Sequence, residues 1–358
     1  MSDRLSNLLA SRPWLLADGA TGTNFFTYGL AHGDAPDLWN LERPEAVVSH
    51  YRSFIDAGSD IVLTNSFGGT RNRLKLHKAE DDCFEINRRA AELARQAAEE
   101  GGNQDLVVAG SMGPTGDLFE PLGPLTFDQG VAAFAEQARG LAAGGADVLW
   151  IETISSVDEL RAAVQGAAES GLPTVTTLSF DTNGRTMMGV TPAQLAELTR
   201  SLEPRPIAYG ANCGSGAAEL MAAMVHMTAV AAEDEVLVAK SNCGIPEFVD
   251  GEIQYNGTPE IMADYARLAI DCGVRIIGGC CGTTPEHIVA MRAALEGHDK
   301  GPRPSLEEVT ARLGEISLGA SKGASTPLGS RPESEGGGGR RRGGRRKGRA
   351  TTDSAPRF

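Results

Sequence analysis

Eight short apolar runs punctuate the first 300 residues, at 14–17, 61–64, 106–109, 148–151, 174–178, 207–210, 236–239 and 274–277. Most are rich in Val, Ile and Leu and do not alternate with polar residues. Runs of that kind belong to strands covered on both faces. Between them lie stretches with apolar residues at helical spacing, at 44–57, 82–100, 127–143, 156–169, 192–202, 217–231, 259–271 and 285–295. Three of these open on a Thr-Pro pair: Thr191-Pro192, Thr258-Pro259 and Thr284-Pro285. Threonine caps the first turn, and proline fits the first helical position because its missing N–H has no partner there.

Strict alternation of eight strands and eight helices predicts a (β/α)8 TIM barrel. The competing architecture, a doubly wound sheet, opens with a GxGxxG turn after its first strand. Here that turn reads DGATGT, residues 18–23. The barrel is expected over 1–300. A short helical extension follows at 301–318, with a helix read at 305–316. Residues 319–358, rich in Gly and Arg, are expected to form a disordered tail.

Charge divides the chain in the same way. The net charge is −14 over 358 residues. Residues 1–335 carry 25 basic and 46 acidic side chains, whereas residues 336–358 carry eight basic and one acidic. An acidic body repels phosphate, so nucleic-acid binding is expected only non-specifically, through the basic cluster at 340–349. No run of 18 apolar residues is present, so no membrane span is predicted. The first 14 residues lack a basic patch followed by a long apolar stretch. That pattern predicts no secretory leader and a cytoplasmic protein.

In a barrel, chemistry gathers at the C-terminal ends of the strands. Strand 1 ends at Asp18, strand 2 at Asn65 and strand 4 at Glu152. Strands 6, 7 and 8 lead into Cys213, Cys243 and the adjacent pair Cys280-Cys281. Thiolates are zinc ligands, and three of them leave one position open for a substrate. Cys213, Cys280 and Cys281 are the candidate set. Buried, inert cysteines are the plain alternative, but glycines bracket the pair as GGCCG. Cys243 reads either as a fourth ligand, closing a structural site, or as a neighbour of a three-cysteine site. A substrate carrying both a thiol and an ammonium would satisfy the metal together with Asp18 and Glu152. The backbone amides of Ala20 and Thr21 are candidates to cradle its carboxylate.

The ordered set DGATGT, TNSFGG (64–69), SMGP (111–114), IET (151–153), ANCG (211–214) and GGCCGTTPEHI (278–288) resembles the zinc-dependent homocysteine S-methyltransferase family. That family includes betaine–homocysteine methyltransferase and the homocysteine-binding module of cobalamin-dependent methionine synthase. The resemblance implies a (β/α)8 barrel with Zn²⁺ on Cys213, Cys280 and Cys281. It implies a catalytic set of Asp18, Asn65 and Glu152. Asp18 and Glu152 hold the homocysteine amino group, and Asn65 supports by hydrogen bonding. Cys243 stands where the family more usually has alanine, and is read as a neighbour of the metal site.

The methyl donor is expected to be methylcobalamin on a separate corrinoid protein, as in a split methionine synthase. Betaine is the first alternative and S-methylmethionine the second. A betaine site calls for an aromatic cage, and Trp39, Phe67 and Phe119 are the donor-side candidates. Two non-enzymatic readings compete: a structural four-cysteine zinc barrel, and a polyanion binder acting through the tail.

Overall fold

The apolar runs become eight parallel strands: β1 (Leu15–Leu16), β2 (Ile61–Leu63), β3 (Val107–Met112), β4 (Val148–Ile154), β5 (Thr174–Leu178), β6 (Ala208–Cys213), β7 (Leu237–Ser241) and β8 (Ile276–Gly279). This is a computed structural model, and it describes residues 3–249 and 252–323. Strands β2 to β8 pair in sequence order and β8 pairs with β1. The ring closes where Ala17 bridges Ile61 and Asp60 N donates to Leu16 O at 2.7 Å. The fold is the expected (β/α)8 barrel.

Alternation along each strand sorts side chains into two cores. Leu15, Ile61, Val107, Trp150, Val175, Val238 and Ile276 point inward and fill the barrel. Leu16, Val62, Val108, Ile151 and Ile277 point outward, into the layer beneath the helices. Those helices lie within a few residues of the expected bounds, for example Pro44–Asp56, Phe127–Ala143 and Pro285–Glu296. Two of the Thr-Pro starts cap as read: Thr191 Oγ1 accepts from Gln194 N, and Thr258 Oγ1 from Ile261 N. At the third, Thr284 N donates to His287 Nδ1 at 3.1 Å.

Besides short helical turns in the loops, such as Gly22–Phe25, Trp39–Glu42 and Arg71–Leu74, two elements went unread in the sequence. Helix Arg4–Ser11 is capped by Asp3 and inserts Leu5 and Leu8 into the inner core, plugging the N-terminal end of the barrel. A hairpin, Pro246–Val249 paired with Glu252–Tyr255, leaves the end of β7. The expected extension forms helix Leu306–Leu313, which buries Val309 and pairs Arg312 with Asp264 at 2.9 Å. Helix Leu318–Lys322 runs past the boundary at 318, and its Ala320 O meets His226 Nε2 at 2.8 Å. The expected disordered tail and its basic cluster otherwise lie outside the described residues. Among the described residues no helix is long and apolar enough to cross a membrane.

Asp60 holds the seam between β1 and β2. Its Oδ2 accepts from Leu16 N at 2.8 Å, and its Oδ1 meets Arg12 at 2.7 Å and Arg292 at 2.9 Å. The two arginines reach solvent and can rehydrate, but the Leu16 N–H is buried. Asp60→Ala should therefore cost about 2 kcal/mol, the penalty of orphaning a buried donor. Urea unfolding reads this directly. A change within about 0.5 kcal/mol would show that the seam does not depend on this carboxylate.

Candidate active site

A cavity of about 370 Å³ opens at the C-terminal ends of the strands. Cys213, Cys280, Cys281, Glu152 and Lys240 all line it. The three cysteines converge from the end of β6 and the turn after β8, and their sulfurs lie within 4.8 Å of one another. Local backbone makes this possible. Cys213 sits at φ 64°, a left-handed conformation that turns its side chain off the strand direction. Gly282 is left-handed at φ 78°, and a Cβ there would run into the Tyr255 ring. A Cβ on Gly279 would overlap the Thr283 side chain. The bracketing glycines thus allow a turn tight enough to present two adjacent thiols.

Asn242 clamps the two cysteine segments together. Its Nδ2 donates to Gly214 O at 2.5 Å, and its Oδ1 accepts from Cys281 N at 3.0 Å. Cys280 N donates to Ser241 O at 2.6 Å, tying the same turn to β7. Each of the three thiols is held above its ordinary range. For Cys213 the Cys280 thiol acts the other way, but Cys281 and burial outweigh it and push the group up to about 12. Cys280 is raised by Cys213, and Cys281 also ends above its ordinary value. Three clustered soft donors that resist ionising together are the donor set a divalent cation stabilises as thiolates. The residues present fit zinc.

Cys243 is not part of this cluster. Its Sγ donates to Gly257 O at 2.9 Å and lies 3.1 Å from His287 Nε2. The thiol is fully buried, and burial pushes it up to about 11. It anchors the base of the hairpin, and the four-cysteine arrangement is absent among the described residues.

The acidic end of the cavity is built by β1, β3, β4 and β7. Glu152 Oε1 accepts from Ser111 Oγ at 2.5 Å. No hydrogen bond to Glu152 Oε2 is made among the described residues. A register shift in β4 between Ile151 and Ile154, with Thr153 at φ 63°, aims Glu152 into the cavity. Asn212 fixes that bulge: its Oδ1 accepts from Thr153 N at 2.9 Å and its Nδ2 donates to Thr153 Oγ1 at 2.7 Å. Asp18 is buried, with Oδ2 accepting from Leu63 N at 2.7 Å and Oδ1 from Lys240 Nζ at 2.6 Å. Burial pushes both carboxyls up from their ordinary range, and Lys240 pulls each of them back.

The remaining expected residues divide. Ala20 and Thr21 line the cavity, but Ala20 N donates to Thr283 O at 3.1 Å, so that amide is already used within the protein. Asn65 also lines it, while its Nδ2 donates to Pro36 O at 2.7 Å and to Asn40 Oδ1 at 3.1 Å. That side chain holds the loop after β1 in place. Phe67 stands at the cavity, 37% exposed.

Trp39 and Phe119 do not line the cavity. Trp39 is buried, stacked on Phe25 at 5.1 Å with Arg43 over its other face. Phe119 is buried where its strand segment bridges Leu125. Sequence reasoning missed Phe26, which lines the cavity, and gave no role to Lys240, Ser111, Asn212 and Asn242. The repeat of Asn-Cys-Gly after β6 and in the turn after β7 was the signal for the two asparagines. A lysine closing the apolar run VLVAK was the signal for Lys240.

Comparison with known proteins agrees with this geometry. The family model for homocysteine S-methyltransferase matches residues 15–295. Methionine synthase of Mycobacterium tuberculosis is 29% identical over 297 residues, covering 78% of this chain and 24% of that protein. Methionine synthase of Mycobacterium leprae is 29% identical over 306 residues, covering 81% and 25%. The chain thus spans about a quarter of the length of these relatives. Among solved structures, the metallated form of the homocysteine methyltransferase MmuM from Escherichia coli superposes with a TM-score of 0.68 at 26% identity, covering 81% of this chain and 99% of that one. With the clustered cysteines, the acidic pocket and the barrel that joins them, this chain belongs to the homocysteine S-methyltransferase family.

Proposed function

We propose that the protein is a zinc-dependent homocysteine S-methyltransferase that forms methionine. The observation that carries this reading is one cavity lined both by three clustered thiols and by Glu152, whose Oε2 is open. Homocysteine bears a thiol and an ammonium on one short chain and matches both. Cys213, Cys280 and Cys281 hold zinc, which when bound supplies the charge that keeps a substrate thiol ionised at neutral pH.

The side chains fix the acceptor. Glu152 Oε2 takes the substrate ammonium, and Ser111 holds Glu152 against rotation. Asp18 sets the charge behind it. Pinned at both ends, the acceptor presents its sulfur to the cavity mouth with little freedom to lose on reaction. The sulfur attacks the donor's methyl carbon in line. The S–C bond forms as the bond from methyl to donor breaks, and that electron pair leaves with the donor. No proton moves in the transfer, so no side chain is required as a general base.

For the donor we favour methylcobalamin carried by a separate corrinoid protein. Two features support it. The two mycobacterial relatives named above are methionine synthases. Exposed apolar side chains also stand in the loops after β2, β3 and β5: Phe67, Leu122 and Met187. Exposed apolar surface near a site mouth suits a macromolecular partner. Betaine is the second reading, favoured by Phe26 and Phe67 at the cavity. A cytoplasmic location accompanies either donor.

Three measurements test the reading. Cys213→Ala should abolish both bound zinc, read by elemental analysis, and turnover. Stoichiometric zinc with normal turnover would sink the assignment. Glu152→Gln should keep its zinc and raise the homocysteine KM about tenfold or more, the worth of a charge-assisted hydrogen bond. An unchanged KM would remove Glu152 from the ammonium site. A donor panel on zinc-loaded protein should give methionine from methylcobalamin on a corrinoid protein and none from betaine or S-methylmethionine. The opposite pattern would overturn the preferred donor.

A further inference from the structure

Lys240 is the cavity's unassigned charge. It lies two residues beyond Val238 on β7, and side-chain alternation therefore points it into the barrel. The residue is 1% exposed, yet it forms part of the cavity wall. Its Nζ bonds Asp18 Oδ1 at 2.6 Å and stands 5.8 Å from the centre of the Trp150 ring. It thus lies between β1 and β4, the strands that supply Asp18 and Glu152. An ammonium has three N–H donors. Asp18 takes one, and no other protein acceptor takes the remaining two among the described residues.

The cavity's charge inventory gives those donors a purpose. Asp18, Asp34, Glu152 and three cysteines line or border it, and Lys240 is the sole cationic side chain in its wall among the described residues. An amino-acid acceptor brings a carboxylate into this acidic surround. Glu152 would repel it, and the Ala20 amide is committed to Thr283 O, which leaves the Thr21 amide and the Lys240 ammonium as the donors that can meet it.

We propose that Lys240 is a specificity-determining residue that receives the carboxylate of the acceptor amino acid. Glu152 takes the ammonium. Pairing with Asp18 holds Nζ in place and offsets the cost of burying it. Lys240 and Glu152 together then read both charges of an α-amino acid, and select it over a simple thiol. This inference rests on the homocysteine reading above.

The test is calorimetric titration of the zinc-loaded, full-length protein. The ligands are homocysteine, homocysteamine (which lacks the carboxylate) and mercaptobutyrate (which lacks the ammonium). Wild type should bind homocysteine about tenfold or more tighter than homocysteamine, as expected for a buried charge-assisted contact. In Lys240→Met that ratio should fall to within about threefold, while the preference over mercaptobutyrate persists. Lys240→Met leaves Asp18 buried and unpaired, which threatens folding. The double variant Asp18→Asn with Lys240→Met removes both charges together and should show the same collapsed ratio with an unaltered circular dichroism spectrum.

A ratio that survives in the variants would overturn the assignment of Lys240 and leave the homocysteine reading standing. Mercaptobutyrate binding wild type as tightly as homocysteine would overturn the paired reading of both charges, because Glu152 would then contribute nothing toward the substrate's ammonium. Failure of wild type to bind homocysteine at all would overturn both.

Discussion

Three thiols whose sulfurs lie within 4.8 Å of one another cannot all ionise unless a cation offsets their repulsion. Much of the catalytic face is arranged around that requirement. Cys213 ends β6 while Cys280 and Cys281 follow β8, so the intervening β7 must contribute nothing that blocks them. Its own end meets the need. Cys243 turns away to Gly257 and His287, and the chain leaves as a hairpin. What β7 does contribute is the Asn242 side chain, which bonds one flanking segment through its nitrogen and the other through its oxygen.

Below this face the barrel is filled with apolar side chains. Leu5 and Leu8 close the far end, and Val238, Ile276 and Trp150 fill the middle. One pleat higher the inward positions become polar: Ser111 above Ala109, Glu152 above Trp150, Lys240 above Val238. The same alternation that builds the core therefore delivers charge to the cavity floor, with no loop needed to carry it. Charges at that depth are expensive unless paired. Each here has a partner at short range: Asp18 with Lys240, Glu152 with Ser111.

That layering explains what could be read from the sequence. Strands covered on both faces leave near-continuous apolar runs, so all eight were visible, including β1, which spans only Leu15–Leu16. The cysteines stood out because thiols at three successive strand ends are rare by chance. Helix Arg4–Ser11 was hidden because eight residues hold only two buried leucines, too few for a periodic signal. Trp39 was misplaced for a different reason. Residue type marked it as an aromatic wall, but stacking on Phe25 and Arg43 is a tertiary outcome that composition does not encode. Lys240 was passed over because a polar residue at the end of an apolar run reads as the strand's exit into solvent. Counting two residues on from Val238 points it inward instead.

The strained backbone has its own logic. Thr153 and Cys213 are non-glycine residues in the left-handed region, a conformation that costs of order 1–3 kcal/mol each. Thr153 is the next-to-last residue of β4 and Cys213 the last of β6, with β5 between them, and one side chain serves both. Asn212 immediately precedes Cys213 and spends both of its amide groups on Thr153. The bulge that aims Glu152 and the turn that aims Cys213 are thus coupled through a single buried amide. In the proposed reading Glu152 and Cys213 would face the two ends of one short acceptor, and the distance between them would have to be fixed rather than adaptable. A rigid tie across β5 meets that need in a way two independently relaxed loops would not.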